Sequence, residues 1–134
     1  MTIGMCSRPE GLGLLECRLI QGASGRCVAE RVSLANTASA RLRGLMFRRQ
    51  MGAEEGLWLR PCQSVHTWWM FFPIDVLFLD RHHSIVSLIE HLRPFRVTWP
   101  RWRASSVIEL PAGTIARYGL QVGDELRMVR RGAS

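Results

Sequence analysis

The chain contains no lysine: all 18 of its basic residues are arginine, and they leave a formal net charge of +7. An all-arginine composition reflects coding bias as much as a selected surface. The charge therefore fits an anionic partner, whether nucleic acid, phospholipid or acidic protein, without requiring one. There is no P-loop, no glycine-rich dinucleotide motif and no serine nucleophile elbow, so the commonest nucleotide-binding and hydrolase signatures are missing. No CxxC pair occurs. The four cysteines, Cys6, Cys17, Cys27 and Cys62, are irregularly spaced. Neither a disulfide framework nor a zinc site is implied, and reduced thiols in a cytoplasmic protein are expected. The start of the chain has no apolar run longer than GLGLL and no small-residue cleavage site, so no export signal is read there. The longest apolar stretch, Trp68 to Leu79, is interrupted by Pro73 and Asp75 and falls well short of the ~20 residues a membrane-spanning helix needs.

What is present is ordinary for a folded domain: 134 residues, 47% hydrophobic and 22% charged. Residues 1–13 read as a flexible N-terminus and 14–134 as a single β-rich domain. Strands are expected at 14–20, 26–35, 57–59, 65–71, 74–79, 85–89, 107–110 and 125–129. The 65–71 strand is apolar on both faces, which predicts a central position in the sheet. Asn36 or Thr37 caps a short helix on which Ala38, Leu42, Leu45 and Met46 share a face, and Pro111 opens a second helix that Gly119 closes. Seven or eight short strands with one or two short helices predict a mainly-β fold, a compact sandwich or barrel-like domain.

Four motifs occur in order: RLRGLMFR (41–48), WWMFFPIDVLFLD (68–80), VIELPAG (107–113) and GLQVGDEL (119–126). Together they resemble an uncharacterised bacterial family known as domain of unknown function 192, over about residues 30–130. The matching positions include Arg43, Gly44, Met46, Trp69, Met70, Pro73, Asp75, Asp80, Glu109, Gly123 and Asp124. The chain departs from the family pattern in a shorter stretch between Met70 and Pro73, in Ile74 where Leu is usual, and in the segment PCQSVHT. The resemblance implies a compact β-rich fold and carries over no activity, cofactor or catalytic residue.

The residues themselves suggest roles. Asp75 lies inside an apolar strand, where a carboxylate must be paired or hydrogen-bonded. Arg41, Arg43 and Arg48 or backbone amides are its candidate partners. Asp80 and Gly123-Asp124 read as turn devices, the aspartates accepting from nearby amides. Cys62, His66 and Asp75 are the candidate catalytic residues of a small, hydrolytic enzyme, with Glu109 as an alternative orienter of the histidine. Residues four apart on one strand are ~13 Å apart, however, too far to share a proton or a metal ion. A hydrogen-bonded histidine beside a buried thiol accounts for the pair equally well. No metal and no cofactor is expected.

The segment 93–103, RPFRVTWPRWR, interleaves four arginines with three aromatic rings. Arg96, Trp99, Arg101, Trp102 and Arg103 are the candidate ligand-binding residues. Such a mixture suits stacking on bases and neutralising phosphates. It also suits rings that plug the end of the domain while arginines stay wet. The expectation is a small binding or accessory module rather than an enzyme.

Overall fold

The computed structural model describes residues 16–35, 50–68 and 70–131. Seven strands follow one another: β1 (Glu16–Gln21), β2 (Cys27–Ala35), β3 (Glu55–Leu59), β4 (Ile74–Leu79), β5 (Ile85–Leu92), β6 (Ser106–Pro111) and β7 (Leu126–Arg130), with one short helix, α1 (Thr114–Tyr118), between β6 and β7. They form one curled sheet in the order β5-β4-β6-β3-β2-β1-β7. Every pairing is antiparallel except β2 with β3. The two edges meet at one corner. Ser84 bridges Glu125, the Ile85 amide donates to Asp124 O at 2.9 Å and the Leu126 amide to His83 O at 3.0 Å. The mainly-β expectation holds, and its form is a half-barrel closed at one end.

Alternation along the strands sorts the apolar side chains into two cores. Leu19, Val32, Leu77, Leu79, Ile108 and Leu110 pack with Ile115 of α1 in the first. Ile74, Val76, Phe78, Leu57, Leu59 and Val107 point the other way and pack with Cys62, Val65 and Met70. β4 and β6 are buried on both faces, which explains why their sequences are mostly apolar apart from Asp75, Ser106 and Glu109. At the β1–β7 corner Gly22 is held by geometry: a Cβ there would lie 2.7 Å from the carbonyl oxygen of Glu125, to which the Gly22 amide already donates.

Two expectations are corrected. Residues 65–68 and 70–71 do not form a strand of the sheet. His66 makes an isolated bridge to Val97, and the Met70 amide turns back onto Thr67 O. Their apolar character serves the second core rather than strand pairing. Pro111 does not open the helix. It ends β6, and Gly113, at φ 96°, stands before α1. The expected helix at 37–48, the motif residues Arg43, Gly44, Met46 and Trp69, and the N-terminal segment 1–13 lie outside the described residues.

Candidate functional site

The segment between β5 and β6 is held by a second loop, residues 62–67, through main-chain bonds and two threonines. Buried Thr67 donates its hydroxyl to Arg93 O at 2.7 Å and accepts the Arg96 amide at 2.8 Å. Its own amide donates to Arg96 O at 2.7 Å. Thr98 Oγ1 accepts the Val65 amide at 3.1 Å, and the Gln63 side-chain amide reaches Trp102 O and Ala104 O. Gln63 and Thr67 of the 62–67 stretch therefore serve as clamps for the arginine-rich segment.

The clamp fixes backbone and leaves rings in solvent. Trp99 is 84% exposed and Trp102 78%. Trp68, Phe71, Phe95 and Val97, on the same pair of loops, are exposed as well, and Trp68 and Phe95 meet edge-on at 5.6 Å. Exposed large apolar side chains in such number are seldom displayed without a use. Arg93, Arg96 and Arg103 are exposed beside them. Arg101 differs. Its guanidinium lies 4.7 Å from the Phe78 ring centroid, its Nε donates to Ser87 Oγ at 3.2 Å and its Nη1 to Trp99 O at 2.7 Å. These bonds make it a pin for the loop rather than a free ligand-binding arm.

The hydrolytic arrangement is not assembled. On β4, Asp75 shares the face of Leu77 and Leu79, whereas Cys62, Val65 and Met70 pack on the opposite face. Asp75 is fully buried. Its Oδ1 accepts the His91 amide at 2.9 Å, and its Oδ2 accepts the amides of Gly113 (3.1 Å) and Ile115 (2.8 Å), at the start of α1. Cys62 Sγ donates to Ser64 O at 3.0 Å. Half-buried His66 has its pKa pushed below the ordinary imidazole value by burial. Glu109 is fully buried between β3 and β4, and neither carboxyl oxygen has a hydrogen-bond partner among the described residues. It therefore does not orient a histidine, and burial raises its pKa to about 8. Asp80 Oδ1 accepts the amides of His82 and Ser84, and these bonds, the Ser84 one foremost, hold its pKa below the usual range. Asp124 Oδ2 accepts the Gln121 amide at 3.0 Å beside Gly123, at φ 99°. Pro73 stands just before β4. No group of three histidine, cysteine or acidic residues able to hold a metal ion exists among the described residues.

A cleft of about 440 Å³ at the closed corner was not expected from the sequence. Arg60, Arg81, His83, Ser105 and Ser106 line it, with Leu34 as apolar wall. Trp58 organises it: the Arg60 guanidinium sits 4.9 Å above its ring, and His83 meets it edge-on at 5.3 Å. Burial, and next the charge of Arg60, hold the His83 pKa below the ordinary imidazole value. His83 also has φ 66°, a left-handed conformation that glycine or asparagine adopts more cheaply. That conformation is invisible in the letters Asp80-Arg81-His82-His83, which read only as a turn.

A small, partly closed β-barrel carrying an arginine-aromatic face and a basic cleft is the class of protein that these features define. The chain belongs to the family of uncharacterized proteins known as domain of unknown function 192, whose model matches residues 19–128. A member of the similarly uncharacterised group UPF0127 from Thermococcus sibiricus is 33% identical over 113 residues, covering 81% of this chain and 72% of that one. Another from Pyrococcus furiosus is 30% identical over 117 residues, covering 84% and 98%. These relatives are archaeal, so the family extends beyond bacteria. Among solved structures, a protein from Sinorhizobium meliloti 1021 named a "putative transcription regulator" has a TM-score of 0.74 and 30% identity, covering 89% of this chain and 98% of that one. A protein of unknown function from Novosphingobium aromaticivorans has a TM-score of 0.72 and 26% identity, covering 91% and 90%. No reaction is assigned to any of these proteins.

Proposed function

We propose that the protein is a binding module that holds single-stranded nucleic acid on its arginine-aromatic loops. The observation that carries this reading is the exposure of Trp99 and Trp102 between arginines on a loop whose backbone is clamped. Bases stack on exposed rings regardless of sequence, and guanidinium groups neutralise the backbone between them. A preformed platform binds more tightly than a mobile one because less ordering is left to pay for. The net charge of +7 favours encounter with a polyanion. The name given to the Sinorhizobium protein is compatible with such a role, although it describes that protein and not this one.

The reading carries a cytoplasmic location with it. Cys17, Cys27 and Cys62 are free cysteines, as suits a reducing compartment. Among the described residues, no helix is long and apolar enough to cross a membrane.

The test is a titration of single-stranded DNA and RNA oligonucleotides at several salt concentrations, with acidic liposomes in parallel. The affinity for the oligonucleotides should fall steeply with salt as counterions are released. Replacing Arg96 and Arg103 with Gln should flatten that dependence. Binding to the liposomes but to neither oligonucleotide would replace nucleic acid with a membrane surface as the partner.

A further inference from the structure

We propose that the cleft between Arg60, Arg81 and Ser106 binds a phosphate group, either as the free anion or as the monoester of a small molecule. None of the exposed rings lines the cleft, and the proposal does not depend on the nucleic-acid reading. Ser106, the first residue of β6, is buried at 3% exposure, and its Oγ has no hydrogen-bond partner among the described residues. A buried hydroxyl left unpaired is costly, and Ser106 is one of the residues lining the cleft. Two guanidinium groups line the same space. That of Arg60 is set in place by stacking on Trp58. Arg81 donates its Nε to His82 Nε2 at 3.4 Å, and its terminal nitrogens make no hydrogen bond among the described residues. Asp80, the neighbour of Arg81 in the turn, has one oxygen already accepting the amides of His82 and Ser84.

The donor set selects the ligand. One arginine satisfies both oxygens of a carboxylate, whereas two arginines with a hydroxyl match the larger number of acceptors on a phosphate. His83, neutral at physiological pH because its pKa is lowered, can add a further donor without repelling the arginines. A volume of about 440 Å³ exceeds what a bare phosphate fills, and Leu34 offers an apolar surface for an organic group. The left-handed backbone of His83 fits this assignment, since residues held in such conformations cluster at ligand sites.

The experiment is a calorimetric and NMR titration of the full chain with inorganic phosphate and with phenyl phosphate, using acetate at matched ionic strength as control. Saturable binding in the millimolar range or tighter is expected, with shifts concentrated at His83, Ser105 and Ser106. Tighter binding of phenyl phosphate identifies an ester as the ligand class. Tighter binding of inorganic phosphate identifies the free anion. Arg81→Gln, at an exposed turn position, should weaken binding about tenfold or more. Ser106→Ala should weaken it without lowering the thermal midpoint. Arg117→Gln, which alters a guanidinium stacked on Tyr118 instead, should change nothing. The Trp99→Ala/Trp102→Ala variant should still bind phenyl phosphate, so this inference and the nucleic-acid reading fail separately. A linear, unsaturated response in the wild type, an equal response to acetate, or unchanged affinity in Arg81→Gln overturns the proposal.

Discussion

Two buried carboxyl groups on neighbouring strands have opposite fates. Asp75 on β4 accepts three backbone amides, two of them at the start of α1, a helix of five residues whose preceding glycine offers no side-chain cap. A strand residue supplies that cap from across the fold. Removing it strands the amides, so Asp75→Ala should cost about 2–4 kcal/mol in chemical denaturation. A loss below about 0.5 kcal/mol, the usual range for neutral surface changes, would contradict the assignment. Glu109 on β6 has no hydrogen-bond partner among the described residues, and its pKa rises from 4.5 to about 8. Between those two values the folded protein keeps a proton that the unfolded chain has released. Its contribution is therefore fully present below pH 4.5 and is lost as pH rises toward 8, by roughly 1.4 kcal/mol per pH unit at most. Glu109→Gln should abolish that slope in denaturation curves taken from pH 5 to 8. A wild type whose stability rises over this window by as much as the variant's would refute a neutral Glu109.

At the scale of elements, most strands were legible because β-branched and apolar runs lay between turn residues. The observed β1, β2, β4 and β7 fall within a residue or two of expectation. The failure at 65–71 is instructive. Val65 and Met70 are apolar because they cover the second core, and Thr67 interrupts the run because it must hold a distant loop. Composition reports burial but does not say whether the backbone pairs. The same clamp explains why the arginine-tryptophan segment could be located from sequence, whereas the fate of its rings could not. Thr67→Val should cost about 1–3 kcal/mol and speed amide exchange at Phe95 and Arg96, whose amides bond to Thr67. Trp99→Ala and Trp102→Ala, at exposed rings, should each change stability by no more than about 0.5 kcal/mol. A loss near 3 kcal/mol would mean that the rings are packed after all.

For the whole molecule, the sequence led to kinship and architecture but not to a site built by non-sequential strand pairing. The cleft draws Arg60 from the end of β3, Arg81 and His83 from the β4–β5 turn, and Ser106 from β6. No spacing in the chain links these positions, because strand pairing brings them together: Leu59 lies opposite Val107 and Leu79 opposite Ser106. The Cys62, His66 and Asp75 grouping looked compact in sequence and is divided by the sheet, since neighbouring positions on β4 face different cores. On the proposed function, the exposed rings form a stacking platform. The most direct measurement compares the affinity of wild type and Trp99→Ala/Trp102→Ala for a single-stranded oligonucleotide by fluorescence anisotropy at low salt. With stacking contributing about 1–3 kcal/mol per base, the double variant should bind roughly 30-fold or more weakly while keeping its thermal midpoint. Equal affinity of the two proteins, or no binding by the wild type, would contradict the account.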